Sequence, residues 1–191
     1  MKILEDRINK DGYWVGKGIL KVDSFLNHQV DIELMDQIGV EIANLYHDES
    51  IDKILTAETS GIAIACSVAR AMNNKPMVFA KKNKPITMNE DFYQAEAKSF
   101  TKGTNNSLCV SKRYLSKGEN VLIVDDFLAK GESGSALCEL VQQAGGNIIG
   151  YTAVIEKLDQ KGAEKISSEY NCPVKSIAII KQVEDNIISF K

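Results

Sequence analysis

Apolar positions return along this chain in two rhythms. Over residues 32–46, IELMDQIGVEIANLY brings Ile32, Met35, Ile38, Ile42 and Leu45 round at helical spacing, which predicts an amphipathic helix. KILTA (53–57) then reads as a buried strand. The turn ETSG leads into IAIACSVARAMN, an apolar helix with Gly61 at its entrance, where the missing Cβ lets the backbone turn tightly. PMVFA (76–80) is the next strand, so residues 53–80 read as one β-α-β unit with a right-handed parallel crossover.

The same order returns in VLIVD (121–125), the helix SALCELVQQAGG (135–146) and IIGYTAVIE (148–156), with a glycine pair ending the helix. Two such units predict an α/β fold: a mostly parallel, twisted sheet flanked by helices on both faces. Residues 81–118 break the rhythm. KKNKP is basic and loop-like, YQAEAKSFT and NSLCVSKRYL have the pattern of two antiparallel strands, and the region is expected to form a flexible excursion or hood over the sheet. SIAII (176–180) is the expected last strand.

Composition narrows the picture. With 191 residues, 44% of them hydrophobic, the chain can bury one substantial core, so a single domain is expected, with at most a small lobe. A net charge of -3 offers no general attraction for nucleic acid. The start, MKILEDRINKDG, lacks the apolar centre of a signal peptide, and no run approaches the roughly 18 apolar residues of a membrane span. A cytoplasmic protein with no membrane partner is expected. Cys66, Cys109, Cys138 and Cys172 are widely spaced, with only His28 and His47 to help hold a metal, and read as reduced structural thiols.

VLIVDDFLAKGES (121–133) carries the candidate chemistry. In an open α/β sheet ligands bind beyond the carboxyl ends of the strands, and this apolar strand delivers Asp125 and Asp126 there. Paired carboxylates suit a sugar diol or a magnesium-bound oxygen, and the turn from Ala129 to Ser133 offers amides at a helix start for a phosphate. On spacing alone the acids equally well solvate a strand end and the turn merely caps a helix.

The segment resembles the phosphoribosyl diphosphate signature of type I phosphoribosyltransferases: four apolar residues, two acids, two apolar residues and a small-residue turn. LKVDSFLNHQVD (20–31), TAETSGIAIA (56–65), FAKKNKPIT (79–87), YQAEAKSFT (93–101) and VIEK (154–157) are similar, in order and spacing, to bacterial xanthine phosphoribosyltransferases. The fold so implied is a type I phosphoribosyltransferase domain over 1–191, with hood elements from about 1–30 and the C-terminal part, and a flexible loop.

That resemblance implies roles for particular residues. Asp125 and Asp126 would bind the ribose hydroxyls of phosphoribosyl diphosphate, Ala129, Lys130, Gly131, Glu132 and Ser133 its 5-phosphate, and the Glu58-Thr59-Ser60-Gly61 loop its pyrophosphate, with Ser60 and Gly61 in contact. Lys81, Lys82 and Lys84 would lie on a lid closing over the pyrophosphate, Lys81 being the first candidate; a solvated basic face is the alternative. Leu20, Asn27 and Lys157 would hold xanthine. Lysine can only donate, which favours an oxo over an amino group at the purine 6 position. Phe127 would stack on the purine, or else pack under the sheet. Magnesium would be held mainly through substrate oxygens. A homodimer is implied, and no nucleic acid.

The chain departs from the family in three places. The turn is Ala-Lys-Gly-Glu-Ser where Ala-Thr-Gly-Gly-Thr is commonest, so Glu132 brings negative charge to the phosphate turn unless it points away or pairs with Lys130. Leu158 and Asp159 follow VIEK where many relatives have Ala-Phe. Ala129 stands where some oxopurine relatives carry an acid, and xanthine is acidic enough to need little help losing its proton. Besides xanthine transfer, the residues leave room for guanine or hypoxanthine use, for an adenine enzyme (disfavoured by Lys157), and for a regulator that senses phosphoribosyl diphosphate while binding nucleic acid.

Overall fold

The computed structural model describes residues 1–15, 19–82, 91–98, 105–184 and 187–191. The chain begins with α1 (Lys2–Asp11), a hairpin of β1 (Tyr13–Trp14) and β2 (Leu20–Lys21), and a π-helical turn at Asp23–Asn27. There follow α2 (Ile32–Leu45), β3 (Lys53–Ala57), α3 (Gly61–Ala71), β4 (Met77–Lys82), β5 (Phe92–Lys98) and β6 (Asn105–Ser111). The second half holds β7 (Asn120–Leu128), α4 (Glu132–Ala144), β8 (Asn147–Lys157), α5 (Gly162–Tyr170), β9 (Val174–Glu184) and β10 (Ile187–Phe190).

One sheet runs in the order β10-β9-β8-β7-β3-β4-β6-β5. The predicted units are present, since β3 pairs in parallel with β4 and β7 with β8. A third parallel pair, β8 with β9, is bridged by α5. Strand β7 shows why the sheet lies between two helical layers. Leu122 and Val124 belong to the core formed with α2 and α3, while Val121 and Ile123 belong to the core formed with α4 and α5. A strand buried on both faces needs an unbroken apolar run, which VLIV supplies.

Local chemistry sets the helix ends. The Asp31 carboxylate caps α2 by accepting from Leu34 N–H at 3.2 Å. Leu34, Met35, Ile38 and Ile42 form the buried face, but Ile32, expected on it, is 64% exposed in the first turn, ahead of the stretch that faces the core. Helix α4 starts three residues earlier than its apolar pattern suggests, because Gly131 takes φ +80 as the capping residue and swings the chain directly from strand to helix. The glycine pair ends it as expected, with Gly145 at φ +71.

The expected hood over residues 81–118 is corrected. Strands β5 and β6 are antiparallel as predicted, but β6 also pairs with β4 through Lys81↔Cys109 and Lys82↔Leu108, so they extend the sheet sideways. The open edge of β4 explains this: its unpaired amides and carbonyls need partners, and β6 supplies them. The proposed lid, with Lys84, falls on residues 83–90, outside the described ones. SIAII lies within β9 but is not last, for β10 folds back against it antiparallel. Helices α1 and α5 escaped the periodicity argument because they bury few large side chains, Leu4 and Ile8 in one and Ile166 in the other. None of the four cysteines forms a disulfide, and only Cys66 is exposed.

Gly61 is required by a close approach, since a Cβ there would collide with the hydroxyl of Thr56 in β3. Thr56 is buried and its hydroxyl has no hydrogen-bond partner among the described residues. Gly61→Ala should therefore lower stability in urea unfolding by about 1–3 kcal/mol. Adding Thr56→Ala removes the atom in the way and should restore most of the loss, a coupling that a double-mutant cycle measures directly.

Candidate active site

Strands β3 and β7 are neighbours, yet the chain leaves β3 towards β4 on one side and β7 towards β8 on the other. Such a reversal leaves a crevice beyond the strand ends, because the two sets of connecting loops diverge. A cleft of about 770 Å³ opens there. Glu58, Ser60 and Gly61 of the β3–α3 turn form one wall, and Asp125 to Gly134 form the floor. Lys157, Asp159 and Gln160, following β8, and Ile19 from the N-terminal hairpin form the other wall.

The two aspartates sit in different surroundings. Asp125 continues the side of β7 that carries Val121 and Ile123, so it faces the α4 layer and is only 5% exposed. Its Oδ1 accepts from the Asp126 backbone N–H at 2.9 Å and its Oδ2 from the Tyr151 hydroxyl at 3.1 Å. Burial, and then the adjacent Asp126 carboxylate, push the Asp125 carboxyl well above the usual range despite these donors. Burial and the facing Asp125 push the Tyr151 phenol up in turn, so it remains a donor. Asp126 is half-buried, and its Oδ2 accepts from Asn27 Nδ2 at 3.3 Å.

The turn after β7 runs from Ala129 to the first residues of α4, where helix-start amides have no intrahelical partner. Lys130 and Ser133 are exposed at this end. The Glu132 carboxylate meets Lys165 of α5 at 3.2 Å. The negative charge in the turn is thus compensated from behind, and a first-turn glutamate also suits the positive end of the helix.

Lys157 is half-buried at the end of β8, with its Nζ 5.5 Å from the Trp14 ring and 5.6 Å from the Phe127 ring. Burial lowers its pKa, and nearby Asp159 opposes the shift. Leu158 and Asp159 open a 3₁₀ turn that carries Asp159 and Gln160 into the cleft wall. On the opposite wall the Glu58 carboxylate accepts from Lys82 N–H at 2.6 Å, and the Glu58–Thr59 peptide is cis.

Of the residues expected from sequence, the cleft gathers Asp125, Asp126 and Phe127, the run from Ala129 to Ser133, Ser60, Gly61 and Lys157. Asn27 reaches it through Asp126. Leu20 is 6% exposed and packs in the core, while Ile19 beside it lines the cleft. Lys81 is placed elsewhere. Successive strand residues point to opposite faces, so Lys82 lines this cleft and Lys81 a second one of about 440 Å³ with Phe79, Arg113 and Tyr114. Sequence reasoning passed over Trp14, Ile19, Tyr151 and Lys165. Tyr151 had one usable signal, a phenol inside an otherwise apolar strand.

Residues 23–187 match the family profile described as "Phosphoribosyl transferase domain". The chain is 49% identical over 191 residues to the xanthine phosphoribosyltransferase of Clostridium tetani, covering 100% of both chains. It is also 49% identical over 190 residues to that of Leuconostoc mesenteroides, again covering 100% of each. Its fold is similar to the crystal structure of adenine phosphoribosyltransferase from Rhodothermus marinus, with a TM-score of 0.76 at 18% identity, over 94% of this chain and 100% of the other.

The raised pKa of Asp125 makes a prediction about stability. The contribution of a carboxyl whose folded pKa exceeds its unfolded value is fully present below the unfolded value and is lost as pH rises through the folded one. At neutral pH the raised pKa of the buried carboxyl therefore costs stability. Asp125→Asn keeps an acceptor for the Asp126 amide and places a donor against the Tyr151 oxygen, which can accept. Thermal melts should show the variant at least as stable as the parent at pH 7–8, by a few degrees on the usual scale of about 2–4 °C per kcal/mol, with the gain vanishing towards pH 4.

Proposed function

Because the chain belongs to the xanthine phosphoribosyltransferases of the phosphoribosyl transferase domain family, we propose that it converts xanthine and 5-phosphoribosyl 1-diphosphate to xanthosine 5'-monophosphate and pyrophosphate in purine salvage. The observation that carries this reading is the juxtaposition in one cleft of paired strand-end carboxylates, a helix-start turn and a half-buried lysine.

Each part has a task in the displacement. A purine nitrogen attacks C1 of the ribose, the bond from C1 to pyrophosphate breaks, and the purine gives up its proton. Asp126, the more open acid, takes the ribose hydroxyls, while Asp125 fixes it from below through its amide. Two carboxylates beside a sugar ring that is turning cationic stabilise the transition state electrostatically. The amides from Ala129 to Ser133, with Lys130, hold the 5-phosphate. Ser60, Gly61 and Lys82 face the pyrophosphate side.

Lys157 donates to an oxo group of the base, and Asn27 and Phe127 complete the base side. Residues 1–30 act with the C-terminal part as a hood, a reading supported by Ile19 in the cleft wall and by the Asn27 bond to Asp126. Among the described residues no group of three or more His, Cys, Asp and Glu side chains is arranged to hold a metal. The donor set, two adjacent carboxylates, fits magnesium carried chiefly by substrate oxygens. When bound, that ion neutralises charge on the departing pyrophosphate. Family membership is the support for a homodimer working in the cytoplasm. No helix among the described residues is long and apolar enough to cross a membrane.

Pyrophosphate release measured with magnesium and phosphoribosyl diphosphate should be fastest with xanthine, weaker with guanine and hypoxanthine, and negligible with adenine. An Asp125→Asn, Asp126→Asn double variant should lose at least about 100-fold in kcat. Preference for adenine would overturn the role given to Lys157, and phosphoribosyl diphosphate binding with no base turned over would favour a sensor. The Glu132–Lys165 pair adds a second test. Lys165→Ala should raise KM for phosphoribosyl diphosphate up to about fivefold, and Glu132→Gln in the same chain should reverse it.

A further inference from the structure

The N-terminal hairpin brings an aromatic ring against the lysine of the cleft wall. Trp14 pairs across the hairpin with Leu20, whose buried side chain anchors the unit in the core, and Tyr13 pairs with Lys21. The outer face is tied as well, by Lys21 over the Tyr13 ring at 5.1 Å and by the Lys21–Asp23 ion pair at 2.9 Å. So held, the half-buried Trp14 meets Lys157 from one side while Phe127, directly after the two acids, meets it from another, at nearly equal distances of 5.5 and 5.6 Å.

An ammonium on a four-carbon stem has no fixed direction of its own, and half-burial removes part of the water that would otherwise stabilise it. Two aromatic faces answer both needs. Their negative quadrupoles attract the cation and their bulk restricts the stem. We propose that Trp14 is a positioning residue of this site, holding the Lys157 ammonium together with Phe127 and so setting how strictly the base subsite demands an oxo group.

The proposal rests on the xanthine reading for its substrate, but the contact itself is testable without one. Trp14 is the only tryptophan in the chain, so the intrinsic indole emission comes from this ring alone. In the unliganded protein, Lys157→Met should change that emission, and an unchanged spectrum would overturn the contact. In steady-state kinetics Trp14→Leu should raise KM for xanthine about fivefold to tenfold, with a smaller change in kcat and KM for phosphoribosyl diphosphate within about twofold of the parent. The ratio of oxopurine to adenine use should narrow.

Trp14→Phe keeps an aromatic face and should recover most of the loss. If Trp14→Leu raises both Michaelis constants alike, or if Trp14→Phe is no better than Trp14→Leu, the ring only fills space and the proposal falls. If the parent does not use xanthine, it is the functional reading that fails. The emission test then still decides the contact, and the same KM comparison is made with whichever purine is turned over.

Discussion

Everything in this molecule is hung on β7. Its apolar half is covered on one side by the α2–α3 layer and on the other by the α4–α5 layer, and burial on both faces is what holds the sheet between them. The same alternation, continued past Val124, carries the Asp125 carboxylate into the layer under α4, where Tyr151 and the Asp126 amide receive it. A buried carboxylate is a liability that a purely structural strand would avoid. Here the fold sustains it with two donors, one of them the Asp126 amide, which ties the two acids together within the strand.

The surrounding elements meet this strand end from both directions. The α4 start lies directly after it, and α5 stands behind that start, supplying Lys165 to the one acidic side chain in the turn. From far up the chain, the N-terminal segment brings Trp14 against Lys157, Ile19 to the cleft wall and Asn27 to Asp126. The paired acids and the turn after them are thus local to one strand–turn–helix segment. The surroundings of Lys157 are assembled from distant pieces.

That division explains what could be read from the sequence. The two β-α-β units were legible because each buries a continuous apolar strand beside an amphipathic helix, and both patterns survive in one dimension. Asp125, Asp126 and the following turn were legible as neighbours in one cleft because they are contiguous in sequence. Lys81 and Lys82 show where reading stopped: the basic run was visible, but only the pairing of β4 with β6 decides which neighbour faces the cleft. Ile32 missed the core for a similar reason, since periodicity gives a face and not where along the helix that face meets a neighbour. Tyr151, Trp14 and Lys165 act through contacts between elements far apart in sequence, which no local pattern encodes.

The contact between Asn27 and Asp126 spans 99 positions, and Trp14 lies still further along the chain from Lys157. As the polypeptide leaves the ribosome, the N-terminal hairpin emerges long before the strands it must dock against exist, so its apolar side chains wait unpaired while the central sheet is made. The paired acids and the helix-start turn can take shape as soon as residues 120–144 are available beside β3. The contact of Trp14 with Lys157 cannot form until β8 has emerged. Closing so long a loop is slow, and it places these contacts among the last that the folding chain acquires.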